Sequence, residues 1–244
     1  MAEEYYFFYL LIPLTAFLYS SVGHGGASGY LALMAIFSYP SDKMKQTALL
    51  LNLFVAGISF YQYYKMRYFN KNLFIHFALG SIPAAFVGGI WSLDLWIYKK
   101  ILGGVLFFAI LRMLIKKDLK NSKIKKPSIF VAIIVGIVIG GLSGLIGIGG
   151  GIILTPVILL LHWGNIKEAA AVSALFIWVN SFSGLMGQLT SGVNFTPNTF
   201  VMVGLALAGG SVGGYYGSQK LNSRRLEYFL ALVLTLAGIK LVLF

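Results

Sequence analysis

The sequence predicts an all-α polytopic membrane protein of two inverted-topology repeats, each with a glycine-broken re-entrant or short helix pair plus three long transmembrane helices. Three observations lead there: an apolar excess, a series of apolar stretches of helical length, and a duplication whose units each make an odd number of crossings. Of 244 residues, 58% are hydrophobic and 11% charged, against about 45–50% and about 25% in soluble domains. So few charges cannot coat a water-facing surface, and the mean hydropathy of +0.83 excludes an ordinary soluble enzyme. Disorder, collagen and a disulfide-stapled scaffold fall away as well, because apolar residues dominate, the 29 glycines have no triplet period and there is no cysteine. The net charge of +12 lies in loops between apolar segments. It forms no basic patch interleaved with aromatics, so the expected partner is the lipid bilayer and not nucleic acid.

Crossing a hydrocarbon core about 30 Å thick takes about 20 helical residues. Apolar stretches run at 6–22, 28–38, 44–64, 73–91, 97–115, 128–146, 151–162, 168–189, 198–217 and 225–243. The first of these follows Glu3 and Glu4 instead of a basic leader, and so reads as a membrane segment and not a signal peptide. Eight stretches have spanning length, whereas 28–38 and 151–162 reach only about halfway across at 1.5 Å per residue. Arg112 and Lys240 lie near segment ends, where their charges snorkel to the headgroups.

The two short stretches are repeat mates. "SSVGHGGASGYLALMAIF" from Ser20 aligns with "SGLIGIGGGIILTPVILL" from Ser143, so Gly23, Gly25 and Gly26 meet Gly147, Gly149 and Gly150. Further on, Ser59 and Phe60 meet Ser181 and Phe182, while Gly88, Gly89, Lys99 and Lys100 meet Gly213, Gly214, Arg224 and Arg225. The domains expected are a first repeat at 1–116, a basic cytoplasmic linker at 117–127 and a second repeat at 128–244. One long segment, one short and three long give each unit an odd number of net crossings, so the copy must be inverted, as in many transporters. With the linker cytoplasmic, the inside loops hold 13 basic residues, Lys167 among them, and the outside loops four, Lys43, Lys45, Lys99 and Lys100. That bias puts both termini outside the cytoplasm.

Glycine disfavours helix by about 1 kcal/mol relative to Ala, so the clusters Gly23–Gly26 and Gly147–Gly151 should unwind the chain at membrane depth. Bare amides there cost several kcal/mol unless they are buried in protein or line a polar cavity. Each break precedes a short helix, whose N-terminus carries free N–H groups and about +0.5 charge. Inversion brings two such ends together, and two positive ends make an anion site. The alternative is tight helix packing, which is the reading for Gly136, Gly140 and Gly144 and for Gly209, Gly213 and Gly217, spaced every four residues. "GIGGG" lacks a following Gly-Lys-Ser/Thr and a ribose-binding acid, so no nucleotide site is expected.

All seven acidic residues fall at segment ends or in loops, which leaves no intramembrane carboxylate relay. The polar groups at membrane depth are Ser20, Ser21, His24 and Ser28 around the first break, and Ser143 and Thr155 around the second. Asn52 and Ser59 on one long segment, and Ser173 and Asn180 on its counterpart, are seven apart and share a helix face. The expected substrate-binding residues are Ser21, Gly23, His24, Gly25, Gly26, Ser28, Asn52, Gly147, Gly149, Gly150, Gly151, Thr155, Ser173 and Asn180. His24 is open between three roles: anion ligand, proton site, or a ring satisfied by a carbonyl. Its counterpart is Ile148, so the site is not symmetric. No cluster has metal-ligand spacing and no hydroxyl has a base and orienting acid beside it, so no metal, cofactor or catalytic residue is expected.

The duplicated unit, "GLIGIGGGIILTPVILL" from Gly144, "SVGHGGASGYLA" from Ser21, "KEAAAVSALF" from Lys167 and the pairs Gly88/Gly89 and Gly213/Gly214 resemble the TauE/SafE sulfite exporter family over nearly the whole chain. That resemblance implies a carrier in a prokaryotic inner membrane for a small sulfur-containing anion such as sulfite, thiosulfate or an organosulfonate. It also implies an exporter driven by a coupling proton or other ion. His24 and Ala27 depart from a pure glycine run in the first break. An anion channel is the rival reading within transport; a membrane-embedded enzyme using His24, or a scaffold without cargo, is the rival from another class.

Overall fold

The computed structural model describes residues 2–91, 124–190 and 192–222, with the isolated positions Ile97, Lys100, Gly104, Arg225 and Tyr228. Eight α-helices and no strand occur among the described residues: α1 Ala2–Ser21, α2 Ala27–Ile36, α3 Ser41–Lys65, α4 Lys71–Ile90, α5 Ile129–Ile146, α6 Gly151–Leu160, α7 Ile166–Leu189 and α8 Pro197–Tyr215. A π-helical turn, Tyr216–Lys220, prolongs α8. The expected long segments at 97–115 and 225–243, with Arg112 and Lys240, and residues 117–123 of the linker lie outside the described residues, the isolated positions apart.

Local chemistry sets the helix ends. Asn70 caps α4 by accepting from the Leu73 N–H at 3.1 Å, and Asn165 with Glu168 forms a capping box on α7. Pro197 starts α8, where its missing N–H costs nothing. α2 and α6 are each ten residues long, about 15 Å of helix, and each starts from a glycine in the left-handed region, Gly26 at φ 96° and Gly150 at φ 79°. The chain reverses direction there, in a conformation that costs an L side chain about 1–2 kcal/mol.

α4, α5, α7 and α8 with its π-turn are long and apolar enough to cross a membrane. At 25 residues, α3 also has the length, but it carries Asn52, Ser59 and Gln62 along with its terminal charges. α7 is largely buried and α3 partly so, whereas α1, α5 and α8 leave Phe7, Leu10, Phe130, Ile137 and Phe200 at least half or nearly half exposed. That distribution suits a lipid-facing ring around a polar centre. The chain is an all-α multi-pass membrane protein.

Small residues decide how closely the helices approach. A Cβ added to Gly136, Gly140 or Gly144 on α5 would strike the α4 backbone at Phe77, Ser81 or Ala85. On α8 and its π-turn, one added to Gly209, Gly213 or Gly217 of the same ridge would strike α1 at Pro13, Phe17 or Ser21. Numbers rise together in both pairs, so α4 runs parallel to α5 and α1 parallel to α8. At the centre, Leu49, Asn52 and Gly57 of α3 meet Gly184, Ser181 and Trp178 of α7; here one numbering rises as the other falls, and the helices are antiparallel. Exchanging α1 with α5, α2 with α6, α3 with α7 and α4 with α8 maps the major helix contacts onto one another: α1/α8 onto α4/α5, α3/α8 onto α4/α7, α2/α3 onto α6/α7.

Gly140→Val inserts a branched side chain against the Ser81 backbone. It should lower stability by about 1–3 kcal/mol or more, read as a fall in the thermal midpoint in detergent. Gly204→Ala, with no described atom within 4 Å of the new carbon, should leave that midpoint unchanged or raise it, since alanine favours helix by about 1 kcal/mol.

Candidate functional site

The two glycine breaks meet at one amide. Asn52, fully buried on α3, accepts from the backbone N–H of Ala27, the first residue of α2, at 3.0 Å. Its Nδ2 donates to Ser181 Oγ on α7 at 3.3 Å. Because only the carbonyl oxygen can accept the Ala27 N–H, that bond fixes which way the amide points. A Cβ at Gly25 would run into Asn52 Oδ1, and one at Gly149 would lie 2.6 Å from Asn52 Nδ2. Oxygen on the first break and nitrogen on the second, a single side chain spans both. Ile177 of α7 packs beneath them, with its Cγ2 at 3.1 Å from a Cβ at Gly25 and 2.7 Å from one at Gly149.

His24 closes the contact from the other side. Its Cδ2 lies 3.2 Å from a Cβ built on Gly151, the first residue of α6, so the first break rests on the N-terminus of the second short helix. The ring Nδ1 lies 3.1 Å from Val22 O, which requires a proton on Nδ1. Nε2 lies 3.4 Å from Thr155 Oγ1, a long contact, and Thr155 is 2.8 Å from Ser173 Oγ. Of the three roles open to His24, the geometry fills one bond with a carbonyl and leaves the other turned to a hydroxyl pair.

Among the expected site residues, then, the structure brings together His24, Gly25, Gly26, Asn52, Gly149, Gly150, Gly151, Thr155 and Ser173 around the two helix starts. Others point elsewhere. Ser21 returns its hydroxyl to Leu18 O at 2.7 Å and its carbonyl accepts from Tyr63 at 2.6 Å. Gly23 lies against the Ala170 backbone and Gly147 against Lys45, one at the start of α7 and one at the start of α3. Ser28 donates to the Tyr19 hydroxyl at 2.8 Å. Asn180 donates to Phe176 O at 2.8 Å, which leaves its Oδ1 buried with no partner among the described residues.

Two donors that sequence reasoning left out of the site stand beside the N-cap glycines. The Tyr30 hydroxyl, on a residue 1% exposed, has no partner among the described residues and lies 2.8 Å from a Cβ built on Gly26. Ser143, wholly buried, also has an unpartnered hydroxyl, with its Cβ 3.5 Å from a Cβ on Gly150. Each short helix therefore begins beside a buried O–H with no acceptor among the described residues, an arrangement that costs about 1–3 kcal/mol per group. Tyr30 was hidden by its place in an apolar run; Ser181, the partner of Asn52, was visible only as the repeat mate of Ser59. The breaks thus present N–H groups, hydroxyls and two positive helix ends, with no carboxylate among the described residues around them.

The family model described as sulfite exporter TauE/SafE matches residues 8–241, nearly the whole chain. Over 235 residues the chain is 36% identical to a Sinorhizobium fredii protein named "Probable membrane transporter protein", with 93% of this chain and 94% of the relative covered. A Methanocaldococcus jannaschii protein of the same designation is 26% identical over 261 residues, 97% of each chain. The Bacillus subtilis protein YunE, again so designated, is 33% identical over 113 residues, 46% of this chain and 41% of its own. No solved structure matches the chain. The chain belongs to the sulfite exporter TauE/SafE family.

Proposed function

We propose that this member of the TauE/SafE family, a membrane transporter, carries a small sulfur-containing anion such as sulfite, thiosulfate or an organosulfonate, exporting it by alternating access around the shell at Asn52. One observation carries the reading: α2 and α6 start from left-handed glycines on either side of Asn52, with the Tyr30 and Ser143 hydroxyls unspent beside them. An anion between the two starts gains from both helix ends and takes up the idle donors. A cation would be repelled by both.

The halves 1–116 and 128–244 then act as inverted repeats joined by the linker at 117–127. The antiparallel crossing of α3 and α7, which the duplication makes repeat mates, supports this. A two-fold axis relating antiparallel spans lies in the membrane plane, so rocking one half on the other exposes the same shell to each face in turn. The excess of lysine and arginine on the linker side supports an inner-membrane orientation with both termini outside the cytoplasm. A coupling proton or other ion completes an exporter of this kind.

A thermal-shift panel of sulfite, thiosulfate, sulfate and methanesulfonate tests the site. Stabilisation grows as RT ln(1 + [L]/Kd), about 2.7 kcal/mol at a hundredfold excess over Kd. Asn52→Asp keeps an acceptor for the Ala27 N–H while placing negative charge between the helix ends; it should fold and lose the anion shift. In Gly150→Leu the new side chain begins at φ 79°, with its Cβ 2.7 Å from Ile139 Cγ2, and the shift should fade there too. An anion shift undiminished in both variants sinks the reading. In proteoliposomes, saturable counterflow is expected, and current without exchange would instead make the protein a channel.

A further inference from the structure

Two lysines hold corresponding places in the two halves. Lys45 and Lys167 are 122 apart, the offset that also relates Ser59 to Ser181, and each lies in the first turns of a central helix, α3 or α7. Each is half-buried, and each turns its ammonium onto carbonyls at the far end of the next helix in its own half. Lys45 Nζ donates to Gly88 O at 3.3 Å, Gly89 O at 3.1 Å and Trp91 O at 3.0 Å, at the end of α4. Lys167 Nζ donates to Ser218 O at 3.1 Å, in the π-turn that ends α8, and to the Tyr68 hydroxyl at 3.3 Å. It also lies 4.9 Å above the Tyr68 ring.

The second regularity concerns the breaks. Each lysine stands where the other half's glycine break begins: the Lys45 Cγ lies 3.1 Å from a Cβ on Gly147, and Gly23 packs on Ala170, one turn beyond Lys167. Asn52 follows Lys45 by seven residues on the same face of α3, about 10 Å deeper at 1.5 Å per residue. Because α3 and α7 are antiparallel, the two ammonium groups sit at opposite ends of the bundle, Lys167 level with Tyr68 beyond the end of α3. That separation is about 30 Å along α3, the thickness of a hydrocarbon core.

We propose that Lys45 and Lys167 are the two mouth residues of the pathway, each presenting its ammonium to an anion that enters from its own face of the membrane. The inference rests on the anion-transport reading above. The shell at Asn52 has helix ends and neutral donors but no fixed cation among the described residues around it, so the formal positive charge on the route is at its ends. An ammonium in a low-dielectric mouth raises the local concentration of anions. The helix-end carbonyls that hold it are exchangeable ligands: they cap the amine while the mouth is empty and release it to a stronger acceptor, an oxyanion. Two mouths built alike serve a carrier that loads from either side.

The native chain has no cysteine, so Lys45→Cys and Lys167→Cys can be labelled without background. In proteoliposomes taking up radiolabelled sulfite, an impermeant cationic methanethiosulfonate should react with the two variants from opposite faces. Each cysteine variant, and each Lys→Met variant, should raise the KM for sulfite on its own face by about tenfold or more, with the opposite face unchanged. Lys→Arg, or the cationic adduct on the cysteine, should restore it, and an anionic adduct should not. A merely structural role would lower kcat from both faces and would not respond to the charge of the adduct; that result overturns the inference, as does unchanged KM in both Met variants. Labelling of both cysteines from one face overturns it as well. Absence of sulfite uptake by the wild type removes the transport premise, and the inference with it.

Discussion

The whole arrangement depends on satisfying backbone amides at membrane depth. A broken span in lipid exposes N–H groups that water cannot reach, and the chain tolerates this only where protein supplies acceptors. Asn52 supplies the acceptor for the first break and touches the second. Neither break is complete without the other, since Gly25 and Gly149 share both this amide and the Ile177 methyl, and His24 of the first rests on Gly151 of the second. The two breaks are thus joined to one another where each leaves the helix.

Close approach of the outer helices makes that meeting geometrically feasible. The α4/α5 and α1/α8 pairs pack backbone to backbone along glycine ridges, which fixes the start of each break relative to the central α3/α7 crossing. Packing of this type uses dispersion and small-residue contact, because lipid offers helices no hydrophobic drive to associate. Polar residues are concentrated on α3 and α7 instead, and the hydrogen bonds of Ser59 and Tyr63 to Ser20 and Ser21 carbonyls, at 3.1 Å and 2.6 Å, pin the end of α1 to the centre.

The site that results is positive in potential yet nearly free of formal charge. Under the proposed function, helix ends and hydroxyls would hold an anion less tightly than a buried arginine, which favours release, and a carrier must release what it binds. Formal charge lies farther out, on the half-buried Lys45 and Lys167 in the first turns of α3 and α7. Under the proposed pathway, such a division would let capture and central binding be tuned separately.

Much of this was legible in the sequence because it is encoded by local pattern. Composition requires a membrane; the lengths of the apolar runs give the spans, and α2 and α6 begin within a residue of where the runs at 28–38 and 151–162 do. Clustered glycines mark the breaks, since their effect on the backbone needs no partner. Glycines every fourth residue mark the ridges. What the sequence could not give is direction and pairing at long range. Seven-residue spacing placed Asn52 and Asn180 alike toward the breaks, but only Asn52 reaches them, because Asn180 donates to its own helix at Phe176. Ser21, Gly23 and Gly147 were grouped with the tips, but Ser21 meets Tyr63 near the end of α3 while Gly23 and Gly147 pack at the starts of α7 and α3, since the turn begins about a helix turn before the short helix does. Tyr30 and Ser143 gained their significance from facing N-cap glycines, and the two lysines, counted as loop charges by sequence, gained theirs from carbonyls 43 and 51 residues away. The sequence by itself determined the membrane class, the two short helices and the glycine breaks before them, all of which follow from composition and spacing along one chain. Only the tertiary structure decided which polar atoms meet, because a hydrogen bond such as Asn52 to Ser181, 129 residues apart, exists only once the helices have packed.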